Sequence, residues 1–224
     1  LGWAMAGNTP CKFYKQNTHG GGVRDPFVIH WPKGIAAKEA GSVRTQFHHV
    51  SDVAPTLLEL IGAQMPAEIG GVAQMAMHGT SMAYAIHNGA DPTRKKVQHF
   101  EMVGHRGIVV DGWKAVTRHK FRTPLFDDVW ELYDLNNDFS ESNDLAAQMP
   151  EKLDEMIETW WEEAAKYKVL PVSDGMGTIN KRPPRRSYRL WPGLERLPSD
   201  NSPQLMNTSH RIAAHFTVPA GGCE

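Results

Sequence analysis

The chain has 224 residues, 41% of them apolar and 22% charged, with a formal net charge of −1. That length allows a buried core in one large domain or two small ones, and the near-zero charge gives no case for a nucleic-acid surface. No apolar run reaches the ~18 residues a membrane-spanning helix needs, and Cys11 and Cys223 lie at opposite ends without disulfide-framework or zinc-site spacing.

The chain opens on LGWAMAGNTP, with neither an initiator methionine nor a charged signal-peptide region, and stops at HFTVPAGGCE inside a strand-then-turn pattern. Both ends are those expected of an internal fragment of a longer protein, and the compartment stays open. Residues 14–26, YKQNTHGGGVRDP, place three glycines beside two cations and an imidazole. Consecutive glycines mark positive φ, close backbone approach or a hinge, and such a turn can aim N–H groups at an anion. The stretch is neither a nucleotide P-loop nor a dinucleotide fingerprint.

PFVIHWP (26–32) is a short apolar run between prolines, suited to a buried strand, although run length alone does not distinguish strand from helix. SDVAPTLLELIG (51–62) predicts a helix capped by Ser51 or Asp52, with Pro55 in its first turn, Gly62 at its end and an apolar face of Leu57, Leu58 and Ile61. Residues 63–96 are rich in turn signals and read mostly as loop. VQHFEMV, RGIVVDGWKAVTRHK and VWELYDL then supply strands, with the Asp111-Gly112 pair as a hairpin signal. PEKLDEMIETWWEEAAKYK (150–168) predicts a helix with proline first, acids in the first turn and lysines in the last. Leu153, Met156, Ile157, Trp160, Ala164 and Tyr167 fall on one face at helical spacing, packed against the sheet. NKRPPRRSYRLWPG reads as an extended linker, and HRIAAHFTVP as the first strand of an incomplete module.

Four of these stretches together resemble the sulfatase family. KQNTHGGGVRDPFVIHWPKGI is similar to K-x-x-T-x-(E/G)-G-G-x-R-x-P followed by an apolar strand and W-P, and SDVAPTLLELIGA to D-(L/V)-x-P-T-L-L-x-L-A-G. HGTSMAYAI resembles the G-x-S-(L/M) turn, and ELYDLNNDFSESNDLA the L-Y-(D/N)-L-x-x-D-x-x-E-x-x-N-L-A signature of the C-terminal region. GWAMAGNTP and DGWKAVTRH look most like the large bacterial arylsulfatase branch. The resemblance, over about residues 1–170, implies an α/β fold. It would be the C-terminal part of the alkaline-phosphatase-like sulfatase fold, with a small antiparallel sheet plus helix as a subdomain. The organisation it implies is the C-terminal part of the catalytic α/β domain over 1–96, the antiparallel subdomain over 97–170, and linker plus the start of a β-rich module over 171–224.

In that family a formylglycine hydrate attacks sulfur, a divalent cation, usually calcium, holds sulfate oxygens, and lysines and histidines surround the rest. Negative charge grows on the bridging oxygen as it leaves, so preorganised cations stabilise the transition state. By the resemblance Lys15 is the catalytic and substrate-binding lysine that contacts the sulfate, a compact charge with three donors. His19 stands where a bulky residue often lines the substrate path. Gly20 replaces a frequent glutamate, and Arg24 is expected to anchor the loop through a carboxylate. His48, His49, His99, His105 and His119 have no ligand spacing and read as structural. The nucleophile motif C/S-x-P-x-R is missing: Cys11 begins CKFYK and Cys223 is followed only by Glu224. The calcium aspartates are missing too, so calcium and formylglycine belong to the intact parent. The implied activity is that of an arylsulfatase, with a small sulfate ester as substrate and an inactive fragment in isolation. A phosphonate or phosphate ester hydrolase of the same superfamily, and a non-catalytic glycan-binding module on a sulfatase frame, are the competing readings.

Overall fold

Turn chemistry and alternating hydropathy set the frame of the molecule, which a computed structural model describes at residues 2–175, 188, 209–214, 216–218, 220 and 221. In chain order the helices are α1 (Gly2–Gly7), α2 (Gly20–Val23), α3 (Val53–Ile61), α4 (Ala83–His87) and α5 (Pro150–Lys166). The strands are β1 (Glu68–Ile69), β2 (Val72–Ala73), β3 (Val97–Met102), β4 (His105–Val110), β5 (Trp113–Thr117) and β6 (Trp130–Asp134). β3 to β6 form a four-stranded antiparallel meander, and β1 and β2 pair as a separate hairpin.

Asp111 and Gly112 both take positive φ, 47° and 84°, as the hairpin turn whose twist matches its strands requires. This sets Ile108 opposite Ala115 and Val110 opposite Trp113. The preceding hairpin turns through Val103 and Gly104, at φ 54° and 86°. A β-branched residue there is strained, and no sequence rule marks such a turn.

Residues two apart share a sheet face. Ile108, Ala115 and Leu132 therefore stand together, and α5 lays Met156, Trp160 and Ala164 on them, with Leu153 partly buried alongside. The Trp160 indole donates to the Phe100 carbonyl at 3.1 Å, so the largest side chain of the core is also satisfied. Full burial of an Ile, Leu or Met side chain such as Ile108, Leu132 or Met156 contributes about 1.5–3 kcal/mol. α5 begins at Pro150 as the sequence indicates and ends at Lys166, with Tyr167 as its C-cap. The outer edge of β6 is covered by its own continuation: Leu132 donates to Asp144 Oδ1 at 2.9 Å and accepts from the Leu145 N–H at 2.8 Å.

Elsewhere the structure departs from the sequence reading. Residues 26–32 form no strand; among the described residues no strand lies beside them, and Val28 is 86% exposed. Helix α3 forms, and Gly62 closes it at φ 67°. Its expected apolar face is only partly covered: Leu57 and Ile61 are exposed and Leu58 is half-buried, whereas Thr56 is buried. Thr56 is held because its hydroxyl donates to the Asp52 carbonyl at 2.5 Å and accepts from the Met82 N–H at 2.8 Å. Residues 63–96, read mostly as loop, contain buried α4, whose Ala85 carbonyl accepts from Arg44 Nε at 2.5 Å. The structure falls into two units, Leu1–Met176 and Gly177–Glu224. The linker and most of the module read over 171–224 lie outside the described residues, and the described positions within 210–219 form no strand.

Candidate loop site at the sheet

The triglycine stretch exists to let backbone lie on backbone. A Cβ on Gly21 would stand 2.2 Å from the Phe13 carbonyl oxygen, and one on Gly22 2.0 Å from that of Asn17. No side chain survives such distances, so α2 packs directly against the carbonyls of residues 12–17. Gly21 donates to the Lys12 carbonyl at 2.8 Å, and the Asn8 amide donates to the Phe13 and Gly21 carbonyls at 2.9 Å each. The result is a closed turn with Lys15 exposed near its tip. Lys15 borders a cleft of about 500 Å³ together with Trp3, Tyr14, Gly22 and Asp25.

The turn is seated on the sheet face opposite α5 through polar groups, one set half-buried and one buried. Two carboxylates do this. Glu131 on β6 faces His19 Nε2 at 3.1 Å, accepts a short bond from the Tyr133 hydroxyl, and lies 3.8 Å from Lys12 Nζ. Lys12 Nζ in turn donates to the Tyr133 hydroxyl at 2.8 Å. Burial alone would raise the Glu131 carboxyl, but the bonds from His19 and Tyr133 hold it down to about 2. Burial, and then the bond to Glu131, push the Tyr133 phenol up. The second carboxylate, Glu141, is buried with Lys114: Lys114 Nζ donates to Oε1 at 2.6 Å and the Gly20 N–H to Oε2 at 3.0 Å. Burial pushes the Lys114 ammonium down while Glu141 opposes the shift. Thr18 completes the seat by donating to the Arg106 carbonyl at 3.0 Å.

His19 therefore has no exposed surface in this structure. Its ring faces Glu131 and Phe13, 4.7 Å from the phenyl centroid. Arg24 does anchor the loop, though by a different partner from the expected carboxylate: it donates to the Phe139 carbonyl at 3.1 Å and lies 3.9 Å above that ring. His48, His49, His99, His105 and His119, read as structural, sit in packing or hydrogen-bonding contacts. His48 lies against Tyr84, His49 against Phe100 and His99 on Tyr167. The His119 ring is held between Asp128 at 2.9 Å and Asp174 at 3.4 Å, and the His119 backbone N–H donates to His105 Nδ1 at 2.9 Å. Burial lowers the ring pKa of His48, His49, His99 and His105. Among the described residues no group of three or more His, Cys, Asp or Glu is placed to hold a metal ion.

Lys12, Lys114, Glu131, Tyr133 and Glu141 were not singled out from the sequence. Two signals pointed toward them. Lys114 alternates with Val116 on the second face of the strand WKAVT, and Tyr133 and both glutamates stand within the ELYDLNNDFSESNDLA stretch.

Residues 11–168 match the family model described as N-sulphoglucosamine sulphohydrolase, C-terminal. An uncharacterized sulfatase of Schizosaccharomyces pombe is 30% identical over 178 residues, which is 77% of this chain and 30% of that protein. An N-acetylglucosamine-6-O-sulfatase of Bacteroides thetaiotaomicron is 27% identical, over 65% of this chain and 25% of that protein. The crystal structure of Ps i-CgsB superposes with a TM-score of 0.57 at 23% identity, covering 77% of this chain and 36% of that one. The chain thus spans about a third or less of the proteins it matches.

Proposed function

This chain belongs to the sulfatase family and carries its C-terminal region, and from that premise we propose that it supplies one cationic wall of a sulfate ester hydrolase through Lys15. The observation that carries the reading is an exposed lysine beside a cleft, on a turn that is fastened at both ends. An ammonium carried on a fixed turn beside the sulfate oxygens would need less reorganisation as charge develops, the condition under which such donors contribute most. The other parts of the chemistry, a formylglycine nucleophile and a calcium ion, would come from elsewhere in the intact protein, because the described residues offer no metal cluster and neither cysteine stands in C/S-x-P-x-R. The 224-residue chain alone is expected to be inactive.

For the alcohol side of the substrate, the sequence resemblance points to aryl esters, whereas the names of the matching family and of the Bacteroides relative point to sulfated glucosamine. We favour a sulfated sugar as the physiological substrate, with aryl sulfates as convenient surrogates. In the intact protein Lys15→Ala should lower kcat/KM for a sulfate ester by about 10²–10³-fold with the fold retained. An unchanged kcat/KM would reduce Lys15 to a loop lysine. Faster turnover of an aryl sulfate than of glucosamine 6-sulfate, by kcat/KM, would restore the arylsulfatase reading.

A further inference from the structure

The loop that carries Lys15 meets one carboxylate, Glu131, on both of its legs, at Lys12 before the lysine and at His19 after it. We infer that Glu131 is a positioning residue for Lys15, acting at a distance through both legs of its turn. The inference rests on Lys15 being the sulfate-contacting group proposed above.

Glu131 reaches the outgoing leg at Lys12, three residues before Lys15. The contact is direct at 3.8 Å and also passes through Tyr133, whose hydroxyl accepts from Lys12 Nζ at 2.8 Å. It reaches the returning leg at His19, four residues after Lys15, at 3.1 Å. Between those anchors the chain is short and internally closed. Gly21 donates to Lys12, and Asn17 donates to the Tyr14 carbonyl at 3.2 Å. Phe13 and Gln16 hold positive φ of 63° and 77°, conformations that persist only where surroundings over-determine them. A turn of this kind has few ways to shift. Moving either leg by an ångström moves the Lys15 backbone with it, and misplacement on that scale away from the reacting atoms can cost about 10²-fold in rate. The fully buried Lys114–Glu141 pair holds Gly20 independently, so loss of Glu131 alone loosens the legs without unseating the loop.

The test is a double-mutant cycle in the intact sulfatase, read as kcat/KM on a sulfate ester. Glu131→Gln keeps the shape and removes the charge that His19 and Lys12 face. It should lower kcat/KM about 10-fold in the natural background and less than about 2-fold in Lys15→Ala, because a residue acting through another loses its effect when that other is gone. Tyr133→Phe removes only the hydroxyl between Lys12 and Glu131 and serves as the second arm if Glu131→Gln folds poorly; it should show the same non-additivity with a smaller loss. Equal losses in both backgrounds would assign Glu131 to general stability and overturn the inference. So would a natural-background kcat/KM unaffected by either variant. If Lys15→Ala itself changes nothing, the proposed role of Lys15 falls and this inference falls with it, an outcome distinct from additive losses.

Discussion

Strand β4 and the segment 26–32 contain similar apolar runs, Ile-Val-Val at 108–110 and Phe-Val-Ile at 27–29, yet Ile108 has no exposed surface and Val28 is almost fully open. β4 has hydrogen-bonded neighbours on both edges, β3 and β5, and a helix over one face. Among the described residues, segment 26–32 has none of these. The same contrast separates α5, whose stripe is covered, from α3, whose Leu57 and Ile61 face outward. An apolar pattern specifies that a surface needs covering, and whether it is covered depends on partners the pattern does not contain. Burial is a property of pairs of segments.

The contrast can be broken first at its strongest point. Trp160→Ala removes the largest fully buried side chain and should destabilise the unit by about 3–5 kcal/mol, read from the denaturant midpoint. A near-neutral midpoint would mean that the sheet and α5 do not depend on each other. An intermediate effect belongs to the contact between loop and sheet. Glu131 is held well below its ordinary carboxylate value, at about 2 instead of 4.5, by His19 and Tyr133 against the cost of burial. A depressed carboxyl contributes stability that is fully present above the unfolded pKa and is lost as pH falls through the folded one. Stability should therefore decline by on the order of 2 kcal/mol between about pH 4.5 and pH 2 for this group. Glu131→Gln should flatten that part of the profile in acid denaturation. A profile identical for the two proteins would show that the bonds to Glu131 persist in the unfolded chain or do not form. The smallest effect is expected where the apolar face is open: Ile61→Ala should change stability by less than about 0.5 kcal/mol. A loss of 2 kcal/mol or more would place Ile61 in a core, and the contrast between α3 and α5 would disappear.

Sequence reasoning alone determined the elements whose causes are local. Asp111-Gly112 demanded its hairpin because both positions need positive φ. Pro150, the flanking charges and a helical stripe marked α5 and its buried face. The three consecutive glycines marked positive φ, close approach or a hinge, of which the structure selects close approach, and the four motifs marked the family. Tertiary structure alone decided which apolar runs are covered, why five residues around Tyr84 fold as a buried helix, and what holds the Lys15 turn. His19 and Glu131 stand 112 residues apart, and Gly20 and Glu141 stand 121 apart. Glu131 reads in the sequence as a polar residue of the strand VWELYDL and Glu141 as a position of the family signature, and neither reading names its partner. Only the meander, by carrying β6 and its continuation beneath the loop, brings them within hydrogen-bonding distance. No local periodicity encodes a pairing across such a separation, because the energy that selects it comes from desolvating and satisfying both partners at once.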